Sequence, residues 1–380
     1  MPIYLDNNAT TRPAPEVIAA MVRALEHGWA NPSSVHGPGQ RAARSVEAAR
    51  RQVAKLLSVE PERVVFASGA TEANEAVLRH QEALGADLVT SWAEHPAVSA
   101  YHEHRPGSPA HRIPLDREGR WDFDALEDVL EQAPRPLIVG LSWANGETGV
   151  LQDAARIAAL SARRGAACLV DATQVVGRVD ISGVDLGSAY LTFSAHKLHG
   201  PKGVGAWVEP RGADGLCALV GGGQEHGRRG GTENVPGIVG MGAACELREA
   251  CLGPAVAQLA DLRDGLEANL TAALPDLRVN GVGAARVPNT SNITFAGVDG
   301  MALVARLEER GILCSQVSAC SSGLPEPSRT LLAMGRSREE AFASVRFAVS
   351  VDNSVEEIDA ASQEIVDEVR FLREMMGGLV

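Results

Sequence analysis

Short β-branched runs alternate with longer amphipathic stretches from residue 15 onward, and this alternation restricts the fold more than any other feature. Strands are predicted over Val64–Ala67, Asp87–Ser91, Leu137–Trp143, Ala167–Asp171, Ala189–Ser194 and Val204–Val208. Helical periodicity fits Pro15–His27, Gln40–Leu57, Thr71–His80, Asp124–Gln132 and Asp153–Arg164, each between or before strands. Apolar strands separated by helices bury both faces, which implies an α/β fold with a mostly parallel, doubly covered sheet. Residues 15–255 read as one large domain on this pattern. A long helical region, Val235–Leu274, interrupted at Gly253-Pro254, leads out of it. The remainder carries strands Ser291–Phe295 and Ser344–Ser350 and helices Met301–Arg310 and Val355–Met376. It reads as a smaller α+β domain made of residues 256–380 joined by 1–14.

Charge narrows the function classes. Lys+Arg number 35 against Asp+Glu 48, a formal charge of −13. An acidic chain without a basic block argues against nucleic acid or an anionic membrane as partner. No apolar run approaches the ~18 residues of a membrane span. The start, Met1-Pro2-Ile3-Tyr4-Leu5-Asp6, has neither the basic region nor the apolar stretch of a secretion signal. Six scattered cysteines fit a reduced, cytoplasmic enzyme better than a disulfide framework. Only Lys55, Lys197 and Lys202 are lysines. Chemistry that needs an amine therefore has few places to occur, because arginine stays protonated.

In open α/β sheets ligands collect beyond the carboxyl ends of the strands. Five successive predicted strand ends carry polar chemistry: Ser68-Gly69-Ala70-Thr71-Glu72, Glu94-His95-Pro96, Asn145-Gly146-Glu147, Asp171 with Thr173 and Gln174, and Ser194 with His196 and Lys197. Most lysines are surface residues, but scarcity and position reverse that expectation for Lys197, whose amine can take an aldehyde. Asp171 ends an apolar strand, so it is buried and needs a positive partner or caps a following helix. The small-residue turn before Thr71 is a suitable phosphate seat. His95 can stack on a ring or move a proton, although a single histidine is more often structural. A lysine, a buried aspartate, a phosphate seat and a histidine are the parts of a pyridoxal 5'-phosphate site.

With these residues in place, the chain resembles cysteine desulfurases of the nitrogen-fixation and iron–sulfur-cluster type, which are fold-type-I pyridoxal phosphate enzymes. The resemblance runs nearly end to end. It is carried by Tyr4-Leu5-Asp6-Asn7-Asn8-Ala9-Thr10-Thr11, Asn31-Pro32-Ser33-Ser34-Val35-His36, Ser68-Gly69-Ala70-Thr71-Glu72 and Glu94-His95-Pro96-Ala97-Val98. It continues through Asp171-Ala172-Thr173-Gln174, Ser194-Ala195-His196-Lys197, Arg228-Arg229-Gly230-Gly231-Thr232-Glu233-Asn234 and Ser318-Ala319-Cys320.

The resemblance implies that Lys197 carries the cofactor aldehyde, Asp171 partners the ring nitrogen, His95 stacks on the ring and Gln174 approaches the ring hydroxyl. Ala70, Thr71, Ser194 and His196 would hold the phosphate, with Thr232 reaching in from a second subunit of a homodimer. Arg346 would clamp the carboxylate of L-cysteine. Cys320, in a loop of the small domain, would be the nucleophile that takes the sulfur, leaving alanine and a persulfide for an acceptor or cluster-scaffold protein. His95 is a candidate acceptor for the Cys320 proton. Of the other cysteines, Cys168, Cys314, Cys245 and Cys251 are expected to be small buried hydrophobes, with Cys217 open. Two positions depart from the family. Gly146 stands where a second asparagine is common, so that Asn145 takes over that contact or it is missing, and Gln316-Val317 replaces a serine–glycine pair.

A selenocysteine lyase or aminotransferase of the same fold is the near rival. A dinucleotide-binding oxidoreductase is excluded because no strand precedes Gly37-Pro38-Gly39. Metal binding through His196 and His199 lacks further ligands at usual spacing.

Overall fold

The computed structural model describes residues 2–101, 103, 110–133, 136–213, 215–316 and 326–377. Seven strands form its central sheet: β1 (Val64–Ala67), β2 (Asp87–Thr90), β3 (Ala110–Arg112), β4 (Leu137–Ser142), β5 (Ala167–Asp171), β6 (Tyr190–Ser194) and β7 (Gly205–Val208). Their order is β1-β7-β6-β5-β4-β2-β3. Strands β3, β2, β4, β5 and β6 pair in parallel, and only β7 runs against its neighbours β6 and β1. The register sets Ser142 beside Asp171 and Asp171 beside Thr192, so the carboxyl ends lie along one edge.

Both faces of the sheet are covered, which is why its strands read as continuous apolar runs. The helices are α1 (Pro15–His27), α2 (Gly37–Leu57), α3 (Ala70–Ala83), α4 (Phe123–Gln132), α5 (Ala154–Arg163) and α6 (Val235–Ala273). On one face Val139 and Val170 pack with Val53, Leu126, Ile157 and Ile238. On the other, Ile138 and Leu169 pack with Ala73, Val77 and Trp207. Adjacent strand residues thus serve opposite cores, as a period of two requires. Helix starts are set by local caps. Asp122 Oδ1 accepts from the amides of Asp124 and Ala125, and Asp153 Oδ1 from the amide of Arg156.

The expected break at Gly253-Pro254 is absent, and α6 runs unbroken for 39 residues. Pro254 removes the partner of the Ala250 carbonyl. That stretch is exposed to solvent, where water can serve the carbonyl instead. Packing holds both halves in line. The first buries Ile238, Met241 and Cys245 in the large core, and the second buries Leu259, Leu262, Leu266 and Leu270 in a second core.

That second core belongs to an antiparallel sheet of β8 (Leu277–Val279), β9 (Thr290–Phe295) and β10 (Ser344–Ala348), covered by α7 (Gly300–Glu309) and α8 (Val355–Gly377). Phe295 and Phe347 meet edge to face with ring centroids 6.4 Å apart. The N-terminal segment starts here and then crosses to the large sheet. Leu5 is buried in the small core, while the Thr11 amide donates to His196 O at 2.9 Å. Among the described residues, no helix is long and apolar enough to cross a membrane.

Candidate active site

The carboxyl edge of the large sheet opens on a cavity of about 280 Å³. Ala70, Thr71, His95, Asn145, Asp171, Gln174, Ser194, His196, Lys197 and Arg346 all line it. Thr232 does not; it is exposed elsewhere on the same chain. Cys320 lies outside the described residues. The chain on either side of that segment reaches the cavity rim. Ser315 pairs through its backbone with Arg346, and the Thr330 hydroxyl accepts from Asn145 Nδ2 at 3.3 Å.

Lys197 follows β6 in a short helical turn. Its amine donates to Ala9 O at 2.9 Å and to Asn8 O, both from the N-terminal segment. Asp171 ends β5 and is buried. Its Oδ1 accepts from the Thr173 amide at 3.0 Å and its Oδ2 from Asn74 Nδ2 at 2.8 Å. Both partners are neutral, so the carboxylate has acceptor capacity for a cation.

His95 caps the short helix Pro96–Ser99, its Nδ1 accepting from the Ala97 amide at 3.1 Å. That bond leaves the ring proton on Nε2. Surrounding protein pushes the His95 pKa down, Asp171 opposes this, and the charge of Lys197 adds to it. The neighbouring Glu94 is buried and holds the turn. It accepts from the Ser91 hydroxyl at 2.7 Å, from Trp121 Nε1 at 3.1 Å and from the Ser142 amide. Burial raises its pKa, against those three donors.

At the start of α3, Ser194 Oγ accepts from the Ala70 amide at 2.8 Å, while the N-cap residue Gly69 has no side chain of its own to offer. The turn can lie this close to the sheet because two glycines meet. A Cβ on Gly205 would stand 2.7 Å from Gly69 Cα and 2.5 Å from Phe193 O. His196 Nδ1 and the Thr10 hydroxyl are 3.1 Å apart. Burial, Lys197, Lys202 and Arg178 push the His196 pKa down to about 4, so this ring is neutral at neutral pH.

Arg346 is buried and already paired. It donates to Asp6 Oδ1 at 2.6 Å and to Gly146 O at 3.0 Å, while its Nε has no partner among the described residues. Asn145 is also engaged. Its Nδ2 donates to Ala93 O at 2.8 Å, and its Oδ1 accepts from the amides of Glu147 and Thr148, both at 2.9 Å. Gly146 lines the cavity, and a Cβ there would stand 3.4 Å from Gln174 Nε2. Gln174 donates to Asn8 O at 3.1 Å and accepts from Arg178.

The cysteines correct one expectation. Cys168 and Cys245 are buried and Cys314 is half-buried, with burial pushing the thiols of Cys168 and Cys314 up to about 12. Cys251 is exposed instead of buried, and so is Cys217. Cys251 stands on the solvent side of α6, where Sγ donates back to Leu247 O at 3.0 Å.

Asn74, Asn8, Glu94 and Arg178 build the site without having been singled out from the sequence. Asn8 and Glu94 lie inside motifs quoted above, Glu94 next to His95. Asn74 and Arg178 carried no local signal.

The donor set suits pyridoxal phosphate. An amine faces the cavity, a buried carboxylate has only neutral hydrogen-bond partners among the described residues, and a helix begins at the cavity wall on a glycine N-cap.

The family profile of class-V aminotransferases matches residues 3–361. A cysteine desulfurase of Sinorhizobium fredii is 41% identical over 98% of both chains. One of Cereibacter sphaeroides is 42% identical over 97% of both. Among solved structures, a NifS-like protein superposes with a TM-score of 0.89 at 31% identity, over 98% of this chain and 100% of that one. A NifS-like protein from Rickettsia africae gives 0.86 at 29% identity, with the same coverage.

Proposed function

The chain belongs to the class-V aminotransferase family, and from that premise we propose that it is a pyridoxal-phosphate-dependent cysteine desulfurase. The convergence of Lys197, Asp171, His95 and the start of α3 on one cavity carries the reading, in a chain about two-fifths identical to cysteine desulfurases from end to end. When bound, the cofactor would supply an aldehyde and an electron-accepting ring.

This chain's residues would do the rest. Lys197 would hold the aldehyde, give way to the amine of L-cysteine and then take its Cα proton. Asp171 would keep a proton on the ring nitrogen, and His95 would cover the ring face. Ala70, Thr71, Ser194 and His196, with Thr232 of a second subunit, would hold the phosphate. Gln174 would approach the ring hydroxyl. Arg346 would turn part of its guanidinium to the substrate carboxylate, with Asp6 keeping it oriented. Because Asn145 is committed to its own turn, its contact with cofactor or substrate would have to come at the cost of a bond there.

Cys320 would attack the substrate sulfur as a thiolate. The Cβ–S bond would break with its electron pair going to the carbon, which would take up a proton released from the thiols, and alanine would leave. The transferred sulfur remains on Cys320 as a persulfide for a sulfur-acceptor or cluster-scaffold protein in iron–sulfur cluster assembly, in the cytoplasm. The outer face of α1 supports a homodimer. Ile18, Val22 and Leu25 form an exposed apolar stripe at helical spacing, which Trp29, 74% exposed, continues just beyond the helix end.

The test is Cys320→Ala. It should abolish persulfide and sulfide formation from cysteine and leave the bound cofactor in place. Unchanged turnover would instead indicate a selenocysteine lyase or aminotransferase.

A further inference from the structure

Arg178 is a buried cation at the back of this cavity, 4% exposed. Its guanidinium donates to Asn8 Oδ1 at 2.7 Å, Asn7 O at 2.9 Å, Lys197 O at 3.0 Å and the Gln174 side chain. All four acceptors are neutral. The charges acting on it are those of Arg248 and Arg346, both repulsive, and with burial they push its pKa down to about 9. It therefore stays charged at neutral pH without a counter-ion among the described residues. A lone buried charge is costly, and where one persists beside a cleft it marks a functional candidate.

Two observations say what this charge does. The segment Arg178 grips from behind, Asn7 to Ala9, is the one whose carbonyls accept the Lys197 amine in front. The positive charge also reaches His196 and His199, on either side of Lys197, and disfavours a proton on both.

We propose that Arg178 is a positioning residue for Lys197, holding the amine toward the cavity and disfavouring a proton on its nitrogen. The inference rests on Lys197 being the residue that carries the cofactor. The other charged and titratable groups are arranged as follows. His196 and Lys202 share the Lys197 loop; His95, Asp171, Glu94 and Glu147 face it across the cavity, with Arg346 and its partner Asp6. Arg248, His199 and Asp352 lie on the far side of Arg178. None of these places a carboxylate against Arg178.

The experiment is a pH titration of the visible absorption of the holoenzyme, whose midpoint reports the proton on the Lys197 nitrogen. In Arg178→Met the midpoint should rise by about one unit, because a repelling charge is gone. Arg178→Lys, which keeps the charge but loses the four-way grip, should shift it by less than half as much. Asn8→Asp, which adds a carboxylate against an intact Arg178, should also raise it and decides the matter if Arg178→Met does not fold. Unchanged midpoints in Arg178→Met and Asn8→Asp overturn the proposal. Borohydride reduction and peptide mapping run alongside. Label away from Lys197 would overturn the functional reading itself, whereas label on Lys197 with unmoved midpoints overturns only the role of Arg178.

Discussion

Asn74 Nδ2 donates to Asp171 Oδ2 at 2.8 Å, and Asn74 Oδ1 accepts in turn from the Thr192 hydroxyl. Asn74 is wholly buried on α3, so the relay ties the helix that starts the phosphate seat to the ends of β5 and β6. Replacing Asn74 by Leu leaves a buried carboxylate oxygen and a buried hydroxyl unsatisfied. We expect a loss of about 1–3 kcal/mol in urea denaturation. Equilibrium dialysis should show weaker cofactor retention, because Asp171 is no longer held in place.

Arg50 and Glu225 form a two-point ion pair beneath β1, with both bonds at 2.8 Å and side chains 5% and 2% exposed. Glu225 also accepts from the Phe66 amide at 2.9 Å, and its own backbone is left-handed at φ 49°. Arg50→Met strands that buried carboxylate without a counter-ion. The cost should be about 3–5 kcal/mol by chemical denaturation. Adding Glu225→Leu should recover part of it; no recovery would mean the pair is not the source of the loss.

His196 gives a pH dependence with a definite sign. Its pKa in the folded protein is about 4, below the ordinary 6.5. The unfolded chain therefore binds the extra proton first as pH falls. Its contribution is complete above pH ~6.5 and is lost as pH drops through 4. The ring is only half-buried, and solvent screening reduces the effect to about 1–2 kcal/mol. Denaturation midpoints at pH 7 and pH 4.5 should differ less in His196→Gln than in the parent protein.

The apolar stripe on α1 should mediate self-association. Leu25, 60% exposed, lies in the middle of it. Leu25→Asp is expected to shift the protein toward monomer in sedimentation velocity without lowering the denaturation midpoint of the monomer. A variant that sediments like the parent would place the interface elsewhere.

The sequence alone was enough to find the strand ends, because a strand buried on both faces must be apolar throughout and its end is where polarity returns. Val64–Ala67 and Ala167–Asp171 come out with the predicted limits, and Asp171, Ser194 and Lys197 follow from them. The half-buried strands Ala110–Arg112 and Leu277–Val279 are too short to leave such a pattern. Continuity of α6 through Pro254 was decided by two cores, each holding one half. The partners of the site residues also needed the tertiary structure. Asn8 is 170 residues from Arg178, and Asp6 is 340 from Arg346. Local composition records whether a residue is buried. Which neutral or charged group it meets there depends on how the N-terminal segment, α3 and the small sheet close on one edge, and that is settled only when the chain is folded.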